Sequence, residues 1–480
     1  MEVKVSKKDI LSGYLAQFFQ YGAGLLILPV ILSHLTAEEI GMNYILLAVG
    51  GLTNMADFGF SGQIGRNITY VLSGSSKIYR EEIETIQETD TVDYKLLKVI
   101  IDASKYLYKR LSIGVLLVLL TFGTLYISHV TKGFSNVDNS LYIWILYAFG
   151  TYFNIYFLYF NSLLTGAGLI KEQRYATIFS RLTYIIICFF LIYLGMGLLS
   201  VVIANVASPF VARYYSYHKF FSGEIKANLP NEKSETELIH SAIGDIWATA
   251  KKSGTNTIGH YVGQNASMFI AGLYLPLYLT GQWGVMTQLV GVVEGVAMNM
   301  GVSFYPEYCK LRLRGENDEL IKKSSFSITT MLVLLLIGGI VIIMAGPLIL
   351  NIIKSNTMLP AIVLVGFYIV KQMITCNAQL FAMLMTTRNV IPSPVAVMST
   401  MVVQIALTIL LLQYSSLGLW ALLLGAFIPG CIYTLWRWVY IELDNMKISA
   451  VRFYVTGLKE LLLYISTFIS RQTLDIHRTI

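Results

Sequence analysis

The chain has 480 residues, of which 55% are hydrophobic and only 13% charged. Soluble domains carry roughly 25% charged residues, so this chain lacks the polar surface that a water-soluble globule needs, and disordered, collagen-like and disulfide-rich secreted classes are excluded as well. A polytopic membrane protein remains, and in that class a net charge of +7 reports topology rather than a nucleic-acid partner.

Lys4, Lys7 and Lys8 precede an apolar run that ends near residue 33. The run is long enough to span, and no small-x-small cleavage site follows it, so it reads as an uncleaved first helix. Crossing a bilayer takes about 20 apolar residues, and long unbroken apolar runs predict helices where barrel strands would alternate. Twelve spans are predicted: 10–33, 40–64, 111–130, 141–165, 176–194, 198–220, 253–275, 283–305, 326–349, 359–385, 393–412 and 417–440. With the N-terminus inside, 31 of the 35 basic residues fall on cytoplasmic segments. Lys132 and Lys354 fall outside, and Arg66 and Lys371 lie within spans or at their edges. That split places both termini in the cytoplasm. The two long loops, 73–110 and 221–252, are both cytoplasmic, which leaves no room for an external catalytic domain.

The fold class expected is all-α, with twelve transmembrane helices in two six-helix lobes. Residues 1–220 form the N-terminal lobe, 221–252 a polar cytoplasmic linker with Pro230, and 253–440 the C-terminal lobe. Both lobes start inside, as parallel repeats do. Ser12-Gly13 opens the first span and Ser253-Gly254 the seventh, while Leu35-Thr36 and Leu279-Thr280 follow them. In the tail, 441–480, the residues Val451, Val455, Leu458, Leu462, Ile465 and Ile469 form one stripe. That spacing predicts an amphipathic helix on the inner membrane face; a thirteenth span would bury Lys459 and Glu460 in mid-bilayer.

Ionisable groups inside spans are costly and are functional candidates by default. Asp57 is deep in the second span, Glu294 central in the eighth and Lys371 central in the tenth. Asn43, Gly50, Asn54, Asp57 and Ser61 fall near one helical face. Gln17 and Tyr21 are one turn apart in the first span, and Asn256, His260 and Gln264 one turn apart in the seventh. Such faces either line a hydrated path or hydrogen-bond helix to helix. Glu294 and Lys371 can neutralise each other, either as a static pair or as one that opens when a proton or anion arrives. The four cysteines form no C-x-x-C pair and read as small buried hydrophobes. There is no Walker A motif, no soluble-enzyme signature and no call for a metal or cofactor. The sequon Asn67-Ile68-Thr69 falls on the cytoplasmic side.

Asp57-Phe58-Gly59-Phe60 followed by Arg66-Asn67 resembles the D-F-G-x…R pattern of polysaccharide flippases. Leu164-Thr165-Gly166-Ala167-Gly168, leading to Arg174 and Ala176, is similar to their G-x-G loop after the fourth span. With Ser6-Lys7-Lys8 and the twelve-span layout, the chain resembles O-antigen (Wzx-type) flippases of the multidrug/oligosaccharidyl-lipid/polysaccharide (MOP) exporter superfamily. The resemblance implies a bacterial inner-membrane protein that moves an undecaprenyl-pyrophosphate-linked oligosaccharide, an O-antigen or capsule repeat unit, to the periplasmic leaflet. It implies alternating access to a cavity lined by the first, second, seventh and eighth helices, with H+ or Na+ as coupling ion, and a polysaccharide polymerase and chain-length regulator as partners. It also implies cations for the pyrophosphate, for which Lys371, Arg66, Arg181 and Lys251 are the candidates. A cation exporter of the same superfamily, a membrane-embedded polymerase or glycosyltransferase, and a scaffold acting through loop 73–110 are the alternatives.

Overall fold

Thr36 and Glu39 start the first complete helix by capping each other. The Thr36 hydroxyl accepts from the Glu39 amide at 3.2 Å, and Glu39 Oε2 accepts from the Thr36 amide at 2.8 Å. This reciprocal box satisfies two donors that a helix start leaves orphaned. Glu39 Oε1 also accepts from the Leu198 amide at 2.8 Å, so one carboxylate serves the starts of two helices. Glu39→Ala is expected to cost about 1–2 kcal/mol, seen as a lower thermal midpoint of the detergent-purified protein. An unchanged midpoint would show that the box contributes nothing.

The computed structural model describes residues 24, 26–78, 91–388, 390 and 392–479. Among them there are helices and no strand. Helix α1 is described over 26–34. It is followed by α2 (Ala37–Ala56), α3 (Phe60–Leu72), α4 (Tyr94–Val118), a π turn (Leu119–Gly123), α5 (Thr124–Val130), α6 (Ser140–Tyr156), α7 (Tyr159–Gly166), α8 (Ile170–Tyr193), α9 (Leu198–Phe220) and α10 (Gly223–Asn228). Then come α11 (Thr236–Tyr274), α12 (Leu277–Ser303), α13 (Tyr305–Arg314), α14 (Asn317–Ile352), α15 (Ile362–Thr386), α16 (Pro394–Tyr414), α17 (Leu419–Ile432), α18 (Thr434–Asn445) and α19 (Ala450–Thr479).

Nine helical stretches among the described residues are long and apolar enough to cross a membrane, and they match nine predicted spans one for one. Predicted span 10–33 is described only in its last part, span 40–64 is broken into α2 and α3, and span 253–275 lies within α11. The outward apolar side chains have no protein cover: Phe122 is 72% exposed, Ile352 79% and Val395 77%. Surface of this kind, repeated along helix after helix, is what hydrocarbon covers. The chain is a multi-pass membrane protein.

The chain divides into two units, Met1–Gly281 with Ile353–Thr357, and Gln282–Ile352 with Met358–Ile480. The core of the first gathers Phe60, Ile64 and Ile68 of α3, Ile100 and Tyr108 of α4, Phe160 and Leu164 of α7, and Ile246 and Ala250 of α11. The second gathers Tyr308, Met331, Leu335, Phe381, Leu384, Trp438 and Phe453. Residues 236–252, expected to be linker, are helical and continue directly into the seventh predicted span as one 39-residue helix. The reason is an apolar stripe in a polar stretch: Ala242 packs on Val99 and Ala103, and Ile246 and Ala250 enter the core one and two turns later.

The tail forms α19, whose packing face differs from the predicted stripe. Phe453 is fully buried against Phe381, and the Tyr454 hydroxyl donates to Asn377 Oδ1 at 2.9 Å. Gly457 lies on the backbone of Ser325, where no Cβ fits. Val451, Val455, Leu458, Leu462 and Ile465 stay exposed, and the side chain of Ile469 lies outside the described part. The stripe is thus left for lipid while the other face docks on α14 and α15.

Candidate functional site

Asp57 closes α2 and opens a break before α3. Phe58 and Gly59 both take left-handed backbone, with φ of 49° and 78°. Glycine does so without steric cost, whereas phenylalanine needs contacts that hold it there. Those contacts come from Trp247 of α11, on which Phe58 stacks at 5.2 Å and Phe60 at 5.6 Å between ring centroids. Asp57 Oδ1 accepts from the hydroxyl of Ser61 at 2.6 Å and from that of Tyr108 on α4, and Oδ2 accepts from the Ser61 amide at 3.4 Å. The carboxylate therefore caps α3 and ties it to α4. The D-F-G sequence works as an acid held at a helix break and backed by an aromatic stack.

The second polar cluster joins α12 to α15. Gln372 Nε2 donates to Glu294 Oε2 at 2.7 Å, and Lys371 Nζ donates to Gln372 Oε1 at 3.1 Å. Lys371 also stands 5.4 Å over the Tyr368 ring, and Cys376 Sγ lies 3.5 Å from Glu294 Oε1. Glu294 and Lys371 thus meet through an amide and not as the head-to-head pair expected. Lys371 and Gln372 are neighbours on one helix, about 100° apart around it, so only one of them can face α12. Gln372 takes that place.

The remaining candidates separate. Arg66 is exposed on α3 and donates to Gln63 one turn back. Lys251 is exposed on α11. Arg181, midway along α8, lines a polar cavity of about 370 Å³ inside the first unit, together with Arg213 of α9. Gln17 and Tyr21 lie outside the described residues. Asn54 falls on α2 and His260 and Gln264 on α11, with their side chains outside the described part. Tyr108, Gln372, Asn161 and Arg213 also belong to these polar sites and do not stand out in the sequence. Tyr108 and Gln372 are neutral and so escaped a search for charges, and Arg213 was counted among the topology-setting cytoplasmic cations.

The chain is a helical membrane bundle with acids and cations held inside its spans, and solved structures share its fold. The inward-facing conformation of a multidrug resistance MATE family transporter of the MOP superfamily aligns with a TM-score of 0.60 at 13% identity, over 93% of this chain and 97% of its own. The lipid II flippase MurJ in its inward closed conformation aligns with a TM-score of 0.60 at 14% identity, over 96% and 93%. An outward-facing MATE transporter aligns at 0.52 with 13% identity, over 91% and 95%. The fold is that of MOP superfamily transporters. Residues 6–311 match the polysaccharide biosynthesis protein family, and the chain belongs to that family. No protein of curated function matches it in sequence.

Proposed function

We propose that this protein is a flippase that moves an undecaprenyl-pyrophosphate-linked oligosaccharide from the cytoplasmic to the periplasmic leaflet of a bacterial inner membrane by alternating access. The observation that carries the reading is the joint one: a polysaccharide biosynthesis family chain with a transporter fold and cations inside its spans. The sugar headgroup cannot cross hydrocarbon unaided, whereas the lipid tail can stay in it. Asp57 and Glu294 are the groups suited to proton or sodium coupling, and Lys371 to the pyrophosphate. A polymerase and a chain-length regulator would use the product outside. An exporter of cationic drugs is the weaker reading, because Lys371, Arg181 and Arg213 would repel its cargo.

Asp57→Asn, Glu294→Gln and Lys371→Ala are each expected to reduce surface polysaccharide while the protein stays in the membrane. The measurement is surface polysaccharide, O-antigen or capsule, scored beside membrane-protein level. Wild-type polysaccharide in all three variants would sink the assignment of these residues. Uptake of cationic dyes that depends on the chain would favour the exporter.

A further inference from the structure

A second hollow of the first unit, of about 550 Å³, runs along α4 and is apolar except at one end. Arg110, Gly114 and Val118 of α4 and Phe122 of the π turn line it at four-residue steps, on one helical face. Val49 of α2, Trp144 of α6 and Phe269 of α11 complete the lining. A Cβ added at Gly114 would meet nothing within 4 Å, so this glycine leaves open space in the slot. Beyond it the helix widens into the π turn Leu119–Gly123, and the Trp144 ring lies against Gly123 where no Cβ fits. A glycine without neighbours and a wide turn thus open a helix face that would otherwise close.

The polar atoms of its walls are already used. Trp144 Nε1 donates to the Thr124 hydroxyl at 2.9 Å, and the Tyr126 hydroxyl donates to the Phe269 carbonyl at 3.1 Å. The walls offer water no partners, so the slot suits hydrocarbon. Val118 is 55% exposed and Phe122 72%, so it opens sideways on the surface that faces lipid. Charge stands at one end alone, the end that the charge distribution assigns to the cytoplasm. There Arg110 is exposed, its Nη2 donates to the Tyr106 hydroxyl at 2.9 Å, and its guanidinium lies 5.1 Å over the Tyr106 ring. Among the described residues no carboxylate lines the slot. From Arg110 to Phe122 the helix rises about 18 Å. That is close to the roughly 15 Å of hydrocarbon in one leaflet. A cation at headgroup level above a dry slot one leaflet deep fits an anionic lipid with ordinary acyl chains, whereas a tail of undecaprenyl length would overrun it.

We propose that this slot binds an anionic glycerophospholipid of the cytoplasmic leaflet, with one acyl chain along Gly114 and Val118 and the headgroup phosphate at Arg110. Tyr106 anchors the guanidinium by ring and hydroxyl, so little freedom is lost when its fork meets the phosphate. A lipid seated there touches α2, α4, α6 and α11 together. The proposal stands whether or not the chain is a flippase.

The test is lipid binding to the purified full-length chain by native mass spectrometry, with phosphatidylglycerol, phosphatidylethanolamine and undecaprenyl phosphate as separate probes. The wild type is expected to bind phosphatidylglycerol about fivefold more tightly than phosphatidylethanolamine, the contribution of one arginine at a membrane surface. Arg110→Gln changes an exposed side chain and should erase that preference while phosphatidylethanolamine binds as before. Gly114→Leu fills the slot from a position whose Cβ meets no neighbour, and leucine is the better helix former, so the fold stands. It should weaken binding of both phospholipids by about tenfold or more, with its thermal midpoint in lipid-free detergent as control. No headgroup preference in the wild type, a preference kept by Arg110→Gln, or equal binding by wild type and Gly114→Leu overturns the proposal. Undecaprenyl phosphate that binds more tightly than phosphatidylglycerol, and is lost in Gly114→Leu, overturns the phospholipid as occupant.

Discussion

Glu442→Ala is expected to destabilise the chain by about 3–5 kcal/mol, enough to lower the yield of folded protein. The Glu442 side chain on α18 is fully buried. Its Oε1 accepts from Arg312 at the end of α13, and its Oε2 accepts from Arg388 Nη2 at 2.7 Å, just past α15. Arg312 also donates to Asn445 Oδ1 at 3.1 Å and to the Thr387 hydroxyl at 3.4 Å. One carboxylate thus pins three chain segments of the second unit. Removing it leaves two guanidinium groups close together, partly buried, with no counter-charge. The penalty is that of the orphaned cations rather than of a lost contact, which sets a second expectation. Replacing the whole triad, Arg312→Met with Arg388→Met and Glu442→Leu, should restore most of the stability, because well-packed apolar groups do as well as a buried ionic triad. Thermal unfolding of the detergent-purified variants measures both. A midpoint for Glu442→Ala equal to the wild type refutes the first, and a triple variant no better than the single refutes the second.

The parts of this fold that follow from long apolar runs were legible in the sequence, because about 20 apolar residues in a row have few other uses. What the sequence hid depends on partners distant in the chain. The helix over 236–252 was hidden because Ala242, Ile246 and Ala250 are sparse among polar residues, and only their packing on α4 and the core of the first unit shows the stripe. The second span, read as one helix, breaks at Asp57 because Phe58 finds Trp247, some 190 residues on. In the tail, the periodic apolar residues that the sequence displays are the exposed ones; Phe453 and Gly457, which dock it, do not stand out by hydropathy. The candidate site was legible only where it is charged. Asp57, Glu294 and Lys371 stand out as ions in an apolar background, whereas Arg181 enters only as a cation that the family resemblance implies. Arg213 was hidden in the tally of cytoplasmic cations, since its distance from the end of α9 reads as a loop flank until Asn161 is placed beside it. Tyr108 and Gln372 are neutral, and their roles exist only in relation to the acids they hold.

Gln372→Leu is expected to cut transport by about tenfold to a hundredfold, as much as Lys371→Ala, although it removes no charge. The amide bridges Glu294 and Lys371 by hydrogen bonds, with 2.7 Å on one side and 3.1 Å on the other. Leucine fills the space but leaves the Glu294 carboxylate without its strongest donor and the Lys371 ammonium without its side-chain acceptor. In a span, where water does not replace those bonds, each loss counts nearly in full. An arrangement in series makes a sharper prediction than any single loss. If the acid reports to the cation through the amide, the losses from Gln372→Leu and Lys371→Ala do not add, and the double variant is no worse than either single one. If Gln372 only fills a gap between α12 and α15, its loss is small and adds to the loss at Lys371. Flipping of lipid-linked oligosaccharide by the protein in liposomes, with membrane insertion as control, separates the two. Gln372→Glu supplies the opposite perturbation: it gives Lys371 a carboxylate of its own and sets a second acid against Glu294. Two carboxyl groups side by side ionise less readily than one, so the pH profile of transport by this variant should differ from that of the wild type. Equal pH profiles for the two would mean that Glu294 does not sense what stands at position 372.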